Sequence, residues 1–519
     1  MRVYSIAGLP PELQAYAMAR FSRSPMSLLE SIDYVRSRSA SEFLQTYYFD
    51  YGHRSIADLA HLAFAFEDVS MLAAIRILDE PLWDGQEKSS RYQDFGLASY
   101  YLPPDIAESN EREDYRSIIE MLFKAYRTVS ADLFDLASRK VRRPSSFSQG
   151  RFERSLKSRV LDVARSLLPL ATLTNLSQIT SARVLERQIC RLLADPLGEV
   201  NGIGLALRQA CEEPPVNPAV TRMRERLSRL AGSAKDNEGG HRGGLDELMV
   251  EQPLAPTLVK YVAPDSYGRD TSQLFARLAR RLGTGPSAPP LRRVDLICQV
   301  SPGDEVIATL LYSETRRGHS FAELLKWVGS LSANQKQRLL KTSVKFRGQF
   351  DELLRSHRCG YSYIFDIVMD IGAYRDLHRH RRCVHVVQPF SPTLGFEEPS
   401  DVIAAGLGQS VGRAAVRAGI ADSYRNAIGD AGRCYERLAR LHPASAAYIL
   451  PLAFQCRALM KMDFAEAAYI IELRSSAAGH FSYRRIAYSM FDELRARSPE
   501  LVALVKPAPG RRRLHLFAR

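Results

Sequence analysis

The sequence predicts an α+β fold made of two similar halves, each with long helices and a small antiparallel sheet. Apolar residues recur at helical spacing in 181–193 and 466–477, which is typical of amphipathic helices. Aromatic and β-branched residues are concentrated in 62–69 and 362–369, which predicts strands. Long helices combined with a few strands favour the α+β class.

The order of the predicted elements repeats along the chain. The triplet Leu-Pro-Leu occurs at 168–170 and again at 450–452, and a helical pattern follows each copy. Self-similarity at a long spacing is the signature of a repeated unit. We therefore predict a tandem duplication, divided into an N-terminal half (1–230), a linker region with a short helix (231–290), a C-terminal half (291–505) and a basic tail (506–519).

The predicted linker region is bounded by two stretches that lack regular patterning. Residues 231–244 read AGSAKDNEGGHRGG and residues 283–290 read GTGPSAPP. Clusters of glycine, proline and small polar residues are typical of loops. Between them, the sequence QLFARLARRL at 273–282 predicts a short amphipathic helix.

Composition narrows the class of protein. The 519 residues are 45% hydrophobic and 25% charged, which is typical of a globular protein. We find no signal peptide and no apolar run of about 18 residues, so we expect no membrane span. The seven cysteines are scattered and form no CxxC pair, which favours reduced thiols and a cytoplasmic location.

The net charge of +13 favours anionic partners such as nucleotides or phosphate cofactors. A solvated, arginine-rich surface is the alternative explanation of this charge. No basic motif interleaved with aromatic residues is present, so nucleic-acid binding is not expected.

A segment rich in polar residues lies at 79–92 and reads DEPLWDGQEKSSRY. Proline and glycine interrupt regular structure there, so we place Glu87, Ser89 and Arg91 on an extended loop, where alternate residues point the same way. A guanidinium beside a hydroxyl can bind a phosphate, and a nearby carboxylate can bind a sugar hydroxyl. The alternative is a surface ion pair between Glu87 and Arg91.

A cationic cluster lies at 378–382 and reads HRHRR. Such a cluster must be solvated or paired with anions. A metal site is the alternative, with the candidate ligands His378, His380, Cys383 and His385. The flanking arginines would repel a cation, so the sequence favours an anion here.

These segments resemble the two parts of one signature, RHR-x2-S-x-N-E-x-S-x-R-Y, of the flavin-dependent thymidylate synthases, the ThyX family. The end of the signature is matched by Glu87, Ser89 and Arg91, and its start by Arg379, His380 and Arg381. An upstream element of the family, G-H-x-S-x-x-E-H, is similar to 52–59, where Asp58 stands for Glu and Leu59 replaces the second His.

The resemblance implies a fold of this class and a reaction. A methylene group passes from methylenetetrahydrofolate to dUMP, and FAD reduced by NADPH supplies the hydride. The residues implied to bind the dUMP-like substrate are Gln86, Glu87, Ser89 and Arg91. Those implied to bind the flavin are Arg379, His380, Arg381, Arg474, His53, Ser55 and Asp58. Those implied to polarise the uracil are Arg457, Arg484 and Arg485.

The signature is split between the halves, because 79–81 reads DEP where the family has RHR, and valines and a proline replace the nucleotide-binding residues after Arg381. We therefore expect two kinds of pocket. One combines the 87–91 loop with Arg457 and Arg484 or Arg485, and the other combines 379–381 with His53, Ser55 and Asp58. The acids of 79–81 would repel a pyrophosphate by roughly 1 kcal/mol.

The family forms homotetramers, so a chain with two such halves is expected to form a homodimer that mimics the tetramer. The alternative function is a non-catalytic nucleotide- or flavin-binding protein that keeps the duplicated fold. The acidic replacement at 79–81 favours that alternative.

Overall fold

The computed structural model describes residues 8–36, 54–95, 99–218, 220–223, 225–226, 252–282, 293–349, 351–509 and 516–517. The fold is mainly helical with two small antiparallel sheets, so the predicted α+β class is confirmed. Within these ranges no helix is both long and apolar enough to cross a membrane. The predicted loops 231–244 and 283–290 lie outside the described residues.

The elements up to residue 212 are three strands and eight α-helices of the described chain. In chain order they are α1 (Pro11–Phe21), α2 (Leu28–Arg36), β1 (His61–Ser70), α3 (Met71–Leu78), β2 (Asp84–Glu87), α4 (Pro104–Ala107), α5 (Arg112–Lys140), α6 (Gln149–Ala164), β3 (Leu173–Ser181), α7 (Ala182–Leu193) and α8 (Gly198–Glu212). Strand β1 and helix α7 confirm the strand and the helix that the sequence predicts there.

The elements from residue 266 onward follow a similar order. They are α9 (Ser266–Ala279), β4 (Val294–Ile297), α10 (Pro302–Tyr312), α11 (Phe321–Gly329), α12 (Ala333–Ser343), β5 (Tyr363–Asp370), α13 (Ile371–Leu377), β6 (Val384–Val387), α14 (Pro399–Leu407), α15 (Gln409–Arg417), α16 (Ile420–Leu441), β7 (Gln455–Met462), α17 (Phe464–Ser475), α18 (Phe481–Arg497) and α19 (Pro499–Val502). Strand β5 and helix α17 confirm the second predicted strand and helix.

The two sheets have related strand orders. The first is β1-β3-β2, and the second is β4-β5-β7-β6. All neighbouring strands are antiparallel. In each sheet the two longer strands lie side by side. A short strand, β2, lies at one edge of the first sheet, and short strands, β4 and β6, lie at both edges of the second. The edge strand β2 therefore carries Glu87 beside β3, at the border of its sheet.

Four strands pass directly into helices, and each transition has a capping side chain. The side-chain oxygens that accept a hydrogen bond from the first turn belong to Ser70, Ser181, Asp370 and Asp463. Such caps satisfy backbone N–H groups that have no partner within the helix. They end β1, β3, β5 and β7 at defined residues.

The two sheets differ in how they are covered. In β3 the side chains alternate between buried and exposed, and Ile179 is 50% exposed. Strand β7 is buried along its whole length. Helices α10 and α11 pack on one face of the second sheet, where Ile307 and Phe321 share an apolar cluster with Leu459.

The regions around the two Leu-Pro-Leu triplets pair with each other. Pro169 and Pro451 form an antiparallel bridge. The N–H of Leu170 donates to the carbonyl of Leu450 over 2.9 Å, and the N–H of Leu452 donates to the carbonyl of Leu168 over 3.0 Å. One apolar cluster also contains residues from both sides of this junction.

The described part of the predicted linker region, 252–282, is packed against other elements. The N–H of Ala255 donates to the carbonyl of Cys211 over 2.9 Å, and Leu258 is fully buried. The predicted short helix is present as α9 but begins at Ser266, earlier than predicted, because the Asp265 side chain caps it by accepting from the N–H of Gly268.

A buried ion pair joins β7 to α10. The Lys461 ammonium lies 2.7 Å from a carboxylate oxygen of Glu305 and 2.8 Å from the hydroxyl of Thr309. Lys461 is fully buried, and burial lowers its pKa although Glu305 opposes the shift. The adjacent residue of α10, Asp304, pairs with Lys336 in a more exposed position.

These neighbouring pairs allow a matched stability test. Lys461→Ala should lower the free energy of unfolding by about 3–5 kcal/mol, because Glu305 is left buried without a cation. Lys336→Ala should cost at most about 1 kcal/mol, because its pair is partly solvated. Urea denaturation of both variants measures the difference. Equal losses would contradict the distinction between the two pairs.

Candidate functional site

The two signature segments, far apart in the sequence, meet in space. Glu87 ends β2, and Arg379 follows α13. Nη2 of Arg379 donates to Oε2 of Glu87 over 2.8 Å, across 292 residues of chain. Arg375, in α13, donates to the other carboxylate oxygen. The sequence did not single out Arg375, although it lies one helical turn before Arg379 and such residues share a face.

The cluster around Glu87 carries surplus positive charge. The Glu87 side chain is 2% exposed, and two guanidiniums face its single charge. The Arg379 side chain remains 34% exposed, and its Nε is buried without a hydrogen-bond partner among the described residues. This arginine therefore has capacity for a further anionic contact.

A cleft opens beside this cluster, with a volume of about 150 Å³. Its lining consists of Leu78, Trp83, Gly85, Gln86, Glu87, Arg379 and Arg381. Sites that enclose a drug-sized ligand have about 300–1,000 Å³. The cleft can therefore hold part of a nucleotide-sized ligand.

The third member of the triplet, Arg381, lies over the cleft wall. Its Nη2 donates to Asp84 over 2.6 Å, and its guanidinium lies 5.1 Å from the centre of the Trp83 ring. The Arg381 side chain is 33% exposed and Asp84 is 80% exposed. A pair this exposed is weak, so Arg381 is available to a ligand.

Gly85 allows β2 to take its position on β3. A Cβ added at Gly85 would lie 1.9 Å from the carbonyl oxygen of Ser177, a clash that no side chain can avoid. The absence of a side chain lets β2 pair with β3, opposite Gln178. This pairing directs Gln86 to the cleft and Glu87 to the arginines.

His380 and Arg474, both predicted to bind the flavin, contact each other. Nε of Arg474 donates to Nε2 of His380 over 2.8 Å, so His380 accepts there. Nδ1 of His380 lies 3.5 Å from Glu466. Burial lowers the pKa of His380, which agrees with a neutral ring that carries its proton on Nδ1.

Arg91 is held by partners other than Glu87. Its Nε donates to Asp162 over 2.9 Å, and its Nη1 donates to the hydroxyl of Tyr483 over 2.9 Å. Ser89 lies between them in sequence, and its hydroxyl accepts from the N–H of Arg91 over 3.3 Å. The alternating arrangement expected from the sequence is therefore absent, because the extended strand ends at Glu87 and a turn follows.

The arginines predicted to be catalytic occupy separate places. Nε of Arg457 donates to Asp366 over 2.9 Å within the second sheet, and Arg457 is 3% exposed. Arg485 pairs with Glu397 over 2.7 Å. Arg484 donates from Nε to the carbonyl of Ser475, and its Nη2 is buried without a partner in the described part of the chain.

Two of the three upstream residues, Ser55 and Asp58, lie in the described part of the chain. His53 lies outside the described residues, and Ser55 is exposed. Asp58 accepts from Arg183 over 3.0 Å. Arg379 contacts Glu87 and Arg381 contacts Asp84, and the expected grouping of 379–381 with His53, Ser55 and Asp58 stays a prediction. The ligand-binding roles assigned from the resemblance stay predictions.

A smaller cavity of about 20 Å³ lies near the acidic segment. Asp79 pairs with Arg355 and, over 3.1 Å, with His378. Glu80 pairs with Arg187 over 2.7 Å. These acids are neutralised by cations of the chain itself, and the cavity has room for about one water molecule.

His385 lines this smaller cavity and contacts neighbouring groups of the chain. Its Nε2 lies 2.8 Å from the carbonyl of His380 and 3.0 Å from the sulfur of Cys383. In the part of the chain that the structure describes, no group of three or more metal-ligating side chains is arranged to hold an ion. Burial, aided by His378, lowers the pKa of His385 to about 3.

Comparison with known proteins gives one family and several relatives. The profile of the family described as thymidylate synthase complementing protein matches residues 6–202 and 324–500. The chain is 25% identical over 522 residues to a UPF0159 protein of Chlamydia muridarum (strain MoPn / Nigg), covering 95% of this chain and 89% of that protein. It is 23% identical over 534 residues to a UPF0159 protein of Thermoplasma acidophilum, covering 94% of each.

The buried histidine predicts a pH dependence of stability. A free histidine has a pKa of about 6.5, so below that pH the unfolded chain binds a proton that folded His385 does not. The free energy of unfolding should fall with decreasing pH between about 6.5 and 4.5, by up to about 1.4 kcal/mol per pH unit from this residue. Denaturation at several pH values measures the slope.

His385→Gln should make that slope shallower, whereas His61→Gln, at an exposed position, should leave it unchanged. His357, His380 and His480 also have lowered pKa values through burial, so part of the slope should remain. An unchanged slope in His385→Gln would show that this ring is protonated in the folded protein.

Proposed function

The chain belongs to the thymidylate synthase complementing protein family, and from this premise we propose that it is a ThyX-type enzyme that uses FAD to convert dUMP to dTMP. The observation that carries the proposal is the contact between Arg379 and Glu87. It joins the two separated parts of the family signature in one place. The matched regions, 6–202 and 324–500, each contain one part.

The proposal includes a tandem origin of the chain. Its support is the related strand order of the sheets, the reciprocal hydrogen bonds across Pro169 and Pro451, and the two separate matches to one family profile. A homodimer of the chain would then supply the four repeat units of a homotetramer.

The residues of the larger cleft fit the phosphate groups of a flavin nucleotide. Arg379 and Arg381 are partly exposed cations, and the Nε of Arg379 is buried and unpartnered among the described residues. Guanidiniums bind phosphate through charge-assisted hydrogen bonds. Bound FAD would accept hydride from NADPH and supply it to the methylene group that methylenetetrahydrofolate donates.

The nucleotide substrate is proposed to lie beside the flavin-binding cations. Gln86 lines the cleft and offers an amide for a pyrimidine edge. Arg484 and Arg485 each have a buried guanidinium nitrogen without a partner in the described ranges, so both have capacity to stabilise negative charge on a uracil ring.

A second candidate function is non-catalytic binding of a flavin or nucleotide. The observation that favours it is the pairing of Arg91 with Asp162 and of Arg457 with Asp366. Both carboxylates are fully excluded from solvent. A substrate phosphate would have to displace a buried carboxylate from each arginine, which is costly.

Purified protein tests the cofactor and the reaction together. We expect FAD to bind and to give the yellow flavin absorption band, and we expect dTMP from dUMP, NADPH and methylenetetrahydrofolate. Arg379→Ala combined with Arg381→Ala should weaken FAD binding at least about 100-fold, because two contacts to charged groups are worth about 1.5–3 kcal/mol each.

The matched control is Arg139→Ala combined with Arg433→Ala. These side chains are 67% and 69% exposed and pair with acids on their own helices, so FAD affinity should not change. FAD binding without dTMP formation would support the non-catalytic candidate. Wild-type protein that cannot be loaded with FAD would contradict both.

Arg91→Ala separates a substrate contact from a structural ion pair. Because Asp162 loses its closest partner, we expect the free energy of unfolding to fall by about 3 kcal/mol, with dUMP affinity unchanged in the fraction that remains folded. Arg139→Ala serves as the exposed control. Loss of dUMP affinity at wild-type stability would instead assign Arg91 to the substrate.

A further inference from the structure

Trp83 is the aromatic wall of the larger cleft. It lies one residue before β2 and lines the cleft together with Gln86 and Arg379. Trp83 is 6% exposed, and the guanidinium of Arg381 lies 5.1 Å from its ring centre. The position corresponds to a variable residue of the signature, so the resemblance assigns it no role.

The indole N–H of Trp83 has no hydrogen-bond partner within the described residues, and it is buried. Buried polar groups are nearly always paired, and a buried donor left unpaired destabilises the folded state. An indole has a single donor and no acceptor. Only an acceptor that enters from outside the described chain can satisfy it.

The charges nearby define which acceptor fits. Arg379 and Arg381 line the same cleft, and among the described residues Glu87 is the one acidic side chain in its lining. Glu87 is already held by Arg375 and Arg379. The cleft lining therefore carries a net positive charge, which favours an anionic oxygen over a neutral carbonyl.

Arg381 also controls access to the indole. An ion pair with Asp84 holds Arg381 in this position. Asp84 is 80% exposed, and an exposed ion pair contributes little free energy. A ligand anion that draws the Arg381 guanidinium toward itself would uncover the face of the indole ring without moving the backbone.

We propose that Trp83 is a ligand-contacting residue whose indole N–H donates to a phosphate oxygen of the bound nucleotide, beside Arg379 and Arg381. The proposal rests on the proposed binding of a flavin nucleotide at this cleft. The hydrogen bond from Trp83 to the phosphate would make the site bind phosphorylated flavins more tightly than riboflavin.

The chain contains two tryptophans, so the test can observe each indole N–H separately. Protein labelled with ¹⁵N-tryptophan should give two indole resonances, which Trp83→Phe and Trp327→Phe assign. Trp327 lies on α11, outside the lining of the cleft. Inorganic pyrophosphate, FMN and FAD should each shift the Trp83 resonance and leave that of Trp327 in place, whereas riboflavin should shift neither.

Affinity supplies the second measurement. Trp83→Phe keeps an aromatic ring and removes the donor, so FMN and FAD should bind at least about tenfold more weakly, as expected for a lost hydrogen bond to an anionic group. Trp327→Phe should bind both as the wild type does. Trp83 is 6% exposed and belongs to the apolar core, so Trp83→Phe should lower the thermal midpoint through the lost ring volume, and affinities are compared at a temperature at which both proteins are folded.

The outcomes separate this inference from the proposed function. Normal FMN and FAD affinity in Trp83→Phe, or a Trp83 resonance that pyrophosphate leaves unmoved, would overturn the assignment of Trp83 while flavin binding stands. A shift by riboflavin alone would overturn the phosphate as the acceptor. Failure of the wild type to bind any flavin would overturn both.

Discussion

The buried carboxylate of Glu87 is the group on which the arrangement of the site depends. It ends β2 of the first sheet and is held by Arg375 and Arg379, which belong to α13 and the turn after it. Removing its partners would leave a buried charge uncompensated, at a cost of about 3–5 kcal/mol. The contacts of Glu87 with the two arginines therefore fix the two walls of the cleft relative to each other. Because two guanidiniums face one carboxylate, one positive charge remains in excess between these walls.

Ion pairs between acids and arginines of the chain also line the smaller cavity. Asp79 and Glu80 are paired with Arg355 and Arg187, so their charge is neutralised within the chain. The sequence suggested that these acids would repel a pyrophosphate, but in the structure they hold cations that would otherwise be available to one. The cavity that remains measures about 20 Å³, against about 150 Å³ beside Glu87. Room for a ligand is found at the cationic cleft.

Solvent exposure separates the arginines available to a ligand from those that stabilise the fold. Arg91 and Arg457 each donate to a carboxylate that is fully excluded from solvent. Arg379 and Arg381 keep about a third of their side chains exposed. A guanidinium with a buried carboxylate already has its strongest partner, whereas a partly exposed guanidinium can exchange water for phosphate. Residue type alone does not reveal this difference.

The sequence by itself determined the local structure. The strands at 62–69 and 362–369 and the helices at 181–193 and 466–477 were predictable, because the hydrophobic period acts over a few neighbouring positions. Only the tertiary structure decided which carboxylate holds which arginine. Glu87 meets Arg379 across 292 residues, and Arg91 meets Asp162 across 71. The hydrophobic period of a segment indicates which of its side chains are buried. The carboxylate that each arginine contacts is set by how elements distant in the sequence pack together.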